Sequence, residues 1–325
     1  MRIYYDTTES KNGGFSILSA GIKNGLIKAG HELVDSNPEV CFTYGIPDRA
    51  VQARKKFPNT PLIYYTVWES SRYPEVYLKA IKEARIDLVL TATKFTQWVL
   101  SRDGIESKVW WHGIDDRWQY KPRRDDGVFT FLHYNAYEWR KGWEIVLGAF
   151  LEEFDGSEPV KLILKARERD NADYLSPVNN PNGVLPFSNV EEVLGHISDE
   201  AMVELLERAD CGVFPVRGEG WFLPSMECVA QGIPVIMPKA MAMEEQWGVG
   251  YFDCGIDGYI NASPRYPGYM VMPSLEGVKK QMRYVYEHEK EVRVLAKKGS
   301  EEVYNKFNWT KIIGELENYI NLVVT

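Results

Sequence analysis

The sequence predicts an α/β protein built as two doubly wound halves, and three observations carry that prediction. Short apolar runs alternate with amphipathic stretches, the rhythm of strand and helix in a parallel sheet. The rhythm starts afresh after a polar, aperiodic stretch, Lys121-Pro-Arg-Arg-Asp-Asp126, which reads as a linker. At 325 residues the chain can fill two cores of ordinary domain size. The expected division is residues 1–124, residues 125–308 and a closing helical segment, 309–325.

Composition narrows the class further. The chain is 45% apolar and 26% charged, a folded, soluble balance. No apolar run approaches a membrane span, and the amino terminus opens on a strand-like Arg2-Ile-Tyr-Tyr rather than a signal peptide, so a cytoplasmic location is expected. Cys41, Cys211, Cys228 and Cys254 are scattered, without a C-x-x-C pair, and read as buried free thiols of a reducing compartment. The net charge of −8 divides into +5 through Arg124 and −13 beyond it. A basic first half suits an anionic acceptor or a peripheral contact with a membrane surface, and equally a solvated face. The acidic total argues against nucleic acid as a partner.

In the first half the strand candidates are residues 2–5, 40–44, 62–67, 88–91 and 109–111. After the first comes Asn12-Gly13-Gly14-Phe15 and an amphipathic stretch, 17–29, closed by Gly30. Glycines at a helix start leave N–H groups turned outward, so Gly13 and Gly14 are candidate phosphate-facing positions. The basic helix 49–57, with Arg54, Lys55 and Lys56, reads as an exposed face or a lipid contact. The third strand ends in Trp68 and Glu69, at the edge where open α/β sheets place ligands. A helix-capping role would explain Glu69 as well.

The second half opens with strand 129–133, a turn carrying Arg140-Lys141-Gly142, and an amphipathic helix through Phe150. Adjacent Arg and Lys at such a turn can neutralise a diphosphate, one as a fork and one as a point charge. Strand 161–165 and a polar loop, 170–182, lead to His196 and to Ser198, which starts helix 201–209. Strand 211–216 then runs into Gly218 and Gly220, a helix opened by Pro224 and closed by Gly232, and strand 234–237. Unpaired N–H groups and the helix dipole make that start an anion site. Glu219 and Glu227 frame it. Carboxylates repel phosphate, so these two suit neutral hydroxyls, and phosphate plus hydroxyls describes a nucleotide sugar. Residues 274–307 read as charged helix. Helix 310–322 lines up Ile312, Ile313, Leu316, Tyr319, Ile320 and Val323 on one face.

Glu219-Gly-Trp-Phe-Leu-Pro-Ser-Met-Glu227-Cys-Val-Ala-Gln-Gly232-Ile-Pro234-Val-Ile resembles the E-x7-E signature of retaining nucleotide-sugar glycosyltransferases of family 4 (glycosyl transferases group 1). Arg140-Lys141-Gly142 resembles the R-K-G motif of that family, and His112-Gly113-Ile114-Asp115 the turn that ends its first domain. The resemblance implies a GT-B architecture: two Rossmann-like domains facing across a cleft, with the last helix packed back on the first. It implies that Glu219 contacts the donor sugar, Glu227 the ribose hydroxyls, and Arg140 and Lys141 the diphosphate. Gly220, Trp221, Phe222, Leu223 and Pro224 would line the donor, and His196 would border the base. Phe222 stands where the pattern has a glycine. Glu69 stands where many relatives carry a histidine.

No Asp-x-Asp occurs, and the cysteines and five histidines lack zinc spacing, so a metal-independent reaction is expected. The only co-substrate implied is the nucleotide-diphosphate sugar, with no cofactor beyond it. Charge on the leaving diphosphate would be met by Arg140, Lys141 and the amides near Leu223 and Pro224. The resemblance implies retention at the anomeric carbon and a glycan, lipid or small-molecule acceptor. A nucleotide-sugar epimerase, a DNA-modifying glucosyltransferase and a non-catalytic nucleotide-sugar-binding protein remain open, because fold alone does not fix function.

Overall fold

The computed structural model describes residues 1–7, 14–123, 126–167, 187–262 and 265–324. Gly13 and the loop 170–182 lie outside them. The first half runs β1 (Arg2–Thr7), α1 (Gly14–Lys28), β2 (Glu32–Leu33), β3 (Val40–Tyr44) and α2 (Asp48–Lys56). It continues with β4 (Leu62–Thr66), α3 (Glu75–Ala84), β5 (Leu88–Thr91), α4 (Lys94–Ser101) and β6 (Lys108–Val109). The second half holds β7 (Phe129–Tyr134), α5 (Trp143–Glu153), β8 (Val160–Ala166), β9 (Val190–Leu194), α6 (Asp199–Glu207) and β10 (Cys211–Val213). Then follow α7 (Leu223–Ala230), β11 (Val235–Met237), β12 (Tyr251–Asp253), β13 (Ile256–Asn261), β14 (Tyr269–Pro273), α8 (Leu275–Glu287), α9 (Glu289–Phe307) and α10 (Trp309–Val324).

Each half is one six-stranded parallel sheet, ordered β2-β1-β3-β4-β5-β6 in the first and β12-β11-β10-β7-β8-β9 in the second. The sequence explains the central strands. Val-Cys-Phe-Thr-Tyr of β3, Leu-Ile-Tyr-Tyr-Thr of β4 and Phe-Thr-Phe-Leu-His-Tyr of β7 are buried along their whole length, as strands covered on both faces must be. Helix starts follow their caps: Thr93 accepts from the Thr96 N–H, Ser198 from Ala201 and Ser274 from Gly277. The order reverses between β1 and β3 in the first sheet and between β7 and β10 in the second. Such reversals open a crevice at the carboxyl ends of the strands, where ligands of this architecture bind.

The closing helix α10 packs on α1, as expected. Ile312, Ile313, Leu316 and Ile320 join Leu18, Ile22 and Leu26 in one core. Trp110 Nε1 donates to Ile312 O at 2.8 Å and Tyr319 Oη to Val109 O at 3.0 Å. Within α1, a Cβ on Gly21 would lie 2.2 Å from Trp309 Cζ2, and one on Gly25 2.4 Å from Ile313 Cγ1. Only glycine permits that approach.

Several elements differ from expectation. The strand expected over 211–216 ends at Val213, ahead of Pro215, which has no N–H to give the ladder. The strand expected over 109–111 is Lys108–Val109. The stretch 274–307, read as helical, is helical as two helices, α8 and α9, parted at His288. Strands β9 and β12 and the antiparallel hairpin β13–β14 were not anticipated. The hairpin crosses to the first half, where Ser70 Oγ donates to Pro267 O at 2.7 Å and Ser71 N to Tyr269 O at 3.0 Å. The basic helix α2 turns its Arg54 inward onto the carbonyls of Ala84, Thr60 and Arg85 and onto Asp87. No helix among the described residues is long and apolar enough to cross a membrane.

Candidate active site

The turn after β7 and the loop after β10 flank the reversal of the second sheet, and each carries a piece of the site. Trp139–Lys141 form one short 3-10 turn, closed by Gly142 in the left-handed region at φ +70°. A Cβ there would fall 2.0 Å from Pro215 O, so glycine is required twice over. Arg217 N donates to Arg140 O at 2.8 Å, tying the two loops together. Arg217 stacks over Trp139 at 4.3 Å, bonds Trp139 O, and pairs with Glu144 at 2.6 Å.

This scaffold brings Arg140, Lys141 and Glu219 into one buried cluster. Glu219 Oε1 lies 2.8 Å from Arg140 Nη1 and 2.7 Å from Lys141 Nζ, and Arg140 Nη1 also donates to Gly218 O at 2.7 Å. Burial alone would raise the Glu219 carboxyl, but Arg140 and Lys141 outweigh it and hold it below its usual range. Burial likewise opposes the Arg140 charge, which Glu219 and Glu69 sustain. Lys141 is pushed down, first by burial and then by its neighbour Arg140. Glu69 belongs to the same electrostatic group. Burial raises it, Arg140 pulls it back and Glu219 adds to the rise.

Helix α7 starts at Leu223, with Pro224 at its second position rather than its first. Phe222 precedes it with φ −105°, which any residue adopts, so the loop does not need the glycine of the family pattern. Its ring turns inward, 5.2 Å from Phe214 and 5.6 Å from Lys141 Nζ. Glu227 is buried in α7 and accepts from Tyr134 Oη at 2.8 Å, while the same hydroxyl reaches Pro224 O at 2.8 Å. Burial lifts the Glu227 carboxyl to about 7, against the Tyr134 hydrogen bond and Arg117.

The carboxyl edges of the two sheets meet at this loop. A Cβ on Gly218 would fall 2.2 Å from Glu69 O, and one on Gly220 2.6 Å from Val67 Cβ and 2.8 Å from Trp68 N. Trp221 turns away from the charges, 5.2 Å from His112 of the first half and 5.4 Å from Phe307 at the end of α9. A Cβ on Gly14, at the start of α1, would sit 4.0 Å from Leu223 Cδ1, so two helix starts approach one another here. His196 is exposed beyond β9, in a turn fixed by Lys165 Nζ donating to Gly195 O at 2.6 Å. Gly13 lies outside the described residues.

No protein-family profile matches the chain. The serotype-specific mannosyltransferase WbdA of Escherichia coli is 31% identical over 124 residues, which is 36% of this chain and 15% of that protein. The likeness to solved structures covers far more. HepE of Anabaena in complex with UDP superposes with a TM-score of 0.75 at 13% identity, over 99% of this chain and 100% of that one. The same protein with UDP-glucose gives 0.74 at 14% identity, over 99% of each chain. Sucrose-phosphate synthase of Thermosynechococcus elongatus gives 0.73 at 15%, over 99% of this chain and all of the other. The fold is GT-B.

In this GT-B frame the Arg140–Lys141–Glu219 cluster occupies the switch point of the second sheet. Sequence reasoning missed His133, Tyr134 and Tyr266. His133 and Tyr134 end β7 beside the switch point, and reading every strand for its carboxyl-end residues would have found them. Burial lowers His133 to about 4, and its Nδ1 lies 2.7 Å from Val213 O. Tyr266 comes from the hairpin, 5.4 Å from the Arg140 guanidinium and 5.7 Å from Trp68. No local pattern announced it.

Proposed function

We propose that this chain is a retaining glycosyltransferase that moves a sugar from a nucleoside diphosphate to an acceptor hydroxyl without a metal. The observation that carries the reading is the meeting of Arg140 and Lys141 with Glu219 beside the start of α7, at the second sheet's switch point. A donor diphosphate takes over the two cations and the free N–H groups of α7. Glu219, so released, accepts from the hydroxyls of the sugar. Fixed cations and the helix dipole then stabilise the charge that builds on the leaving diphosphate, and they do so without reorganising.

Glu227, oriented by Tyr134, accepts from the ribose hydroxyls. Glu69 meets the sugar ring from across the seam. The bond from the anomeric carbon to the diphosphate breaks while the acceptor oxygen bonds on the same face. The acceptor proton passes to the departing phosphate. Donor binding falls to residues 125–308 and acceptor binding to 1–124, with 309–325 as the strap between them. The UDP and UDP-glucose complexes of HepE and the mannosyltransferase segment support this reading.

A thermal-shift screen of uridine and guanosine diphosphate sugars, glucose and mannose forms included, tests it. One of them raises the melting temperature of the wild type by mass action, and Glu227→Ala loses the response. No shift with any nucleotide sugar rules out the donor site. A shift without transfer to any acceptor moves the binding-protein reading to the front.

A further inference from the structure

Three side chains at the seam present polar atoms that the fold buries and leaves without a protein partner. Tyr44 Oη, both ring nitrogens of His112 and Trp221 Nε1 make no hydrogen bond among the described residues. Tyr44 and His112 are fully buried, and Trp221 is 7% exposed. The rings adjoin: His112 lies 5.2 Å from Trp221 and 6.2 Å from Tyr44, with Tyr65 between at 5.1 Å from His112 and 5.3 Å from Tyr44. Several adjoining groups of the same kinds are paired, although Tyr304 Oη and His133 Nε2 are not. Tyr65 Oη donates to Trp110 O at 3.1 Å and Tyr64 Oη to Gly45 O at 2.7 Å. Trp110 Nε1 donates to Ile312 O at 2.8 Å and Trp111 Nε1 to Glu245 at 3.0 Å. Buried polar groups go unpaired rarely and at a cost, so a local group of them calls for a reason.

Their placement supplies one. Tyr44 ends β3, beside the order reversal of the first sheet, and His112 follows β6 at the same edge. Trp221 belongs to the loop that carries Glu219. The group therefore spans the cleft, on the first-half side of the donor cluster. We propose that Tyr44, His112 and Trp221 form the acceptor subsite and that they recognise neutral sugar hydroxyls, so the acceptor is a saccharide. This rests on the glycosyltransferase reading above.

The chemistry matches that class. A phenol donates and accepts, a neutral imidazole does each with one nitrogen, and an indole N–H donates. Sugar hydroxyls answer all three, and ring faces of Tyr44 and Trp221 suit the sugar's C–H surface. Burial keeps His112 neutral. The carboxylate that Tyr44 feels is that of Glu69, which repels a phosphate. The atoms are shut in while Trp221 rests on His112, so the acceptor enters with the halves apart, before Gly218 and Gly220 close on Glu69 and Val67.

Saturation-transfer NMR on the full chain with UDP or GDP present, in separate runs, tests this, using methyl α-D-gluco-, galacto- and mannopyranoside as probes. At least one glycoside receives saturation from the wild type, and its apparent affinity falls about tenfold in Tyr44→Phe and in His112→Phe. The nucleotide signal persists in all three proteins. Tyr44→Phe melts no lower than wild type, because the lost hydroxyl held no protein bond. Undiminished glycoside binding in both variants would show that the orphan atoms are bridged structurally, and would overturn the subsite. Binding of a polyprenyl phosphate with none of the neutral glycosides would overturn the substrate class. A wild type that gives neither a UDP nor a GDP signal fails earlier, at the donor site, and takes this inference with it.

Discussion

Two seams join the halves of this chain, and glycine pairs make the close contact in both. At the strap, Gly21 and Gly25 admit Trp309 and Ile313; in the cleft, Gly218 and Gly220 admit Glu69 and Val67. The surroundings differ. The strap is largely apolar, with Trp110 and Tyr319 each bonded to a carbonyl across it and His31 Nε2 3.3 Å from Glu317 Oε1. The cleft buries Arg140, Lys141, Glu219 and Glu69 and leaves polar atoms of Tyr44, His112 and Trp221 without a partner among the described residues. A largely apolar contact gains nothing by opening. A charged contact that can exchange its partners for a substrate's oxygens can part and close again. The same backbone device serves a fixed joint in one place and a working surface in the other.

Removing the charge at the centre of the cleft tests that contrast most severely. Glu219→Gln leaves two buried cations without their main counter-ion, and unfolding free energy falls by about 3–5 kcal/mol. Transfer falls by about a hundredfold or more at temperatures where the variant stays folded. Denaturant unfolding and a transfer assay read the two effects, and wild-type values in both would dissolve the distinction between seams.

The same substitution placed in each seam should then separate their roles. Gly21→Ala crowds the Trp309 indole and lowers stability by about 1–3 kcal/mol, with nucleotide affinity unchanged well below the melting temperature. Gly220→Ala crowds Val67 and the Trp68 N–H, holds the cleft ajar and weakens transfer with a smaller loss of stability. Calorimetry paired with kinetics would expose the reverse pattern.

The smallest effect concerns protons. Glu227 titrates near 7 in the folded chain, above the ordinary carboxyl value of 4.5, because it is buried. A raised carboxyl binds its proton more tightly when folded, so its contribution to stability is full below about 4.5 and is lost as pH rises through about 7. Nucleotide binding, which favours the ionised acceptor, gains over the same interval. In Glu227→Gln both slopes flatten. Melting curves and UDP titrations between pH 5 and pH 8 (roughly the window the shift sets) would reveal any slope that survives.

The cleft was more legible in the sequence than the strap's glycines or the hairpin. Glu219 and Glu227 announced themselves because their spacing and the glycines between strand and helix are local. Arg140 and Lys141 did so because a strand-to-helix turn is local as well. Tyr134, Tyr44 and His112 did not, since each acts with a partner far along the chain. Tyr134 and Glu227 are 93 positions apart, and only the sheet order brings them together. The hairpin escaped notice for a different reason: Gly258 shifts its register, and it falls outside the strand–helix rhythm that located most of the parallel strands. Strands β9 and β12 sit at the edges of their sheet, where apolar demand is weakest and Glu191, Glu192 and Asp253 are tolerated.

The strap also sets an order of events at the ribosome. The first sheet is complete once β6 has emerged, yet the helix that fills the groove of α1 is translated roughly two hundred residues later. Until then Ile22, Leu26 and the glycine groove have no cover, and the first half must wait as a nascent domain with one open flank. Vectorial synthesis therefore makes the first half dependent on α10, whose opening turns carry Trp309 and Ile313: the sheet that forms early is the one whose flank closes late.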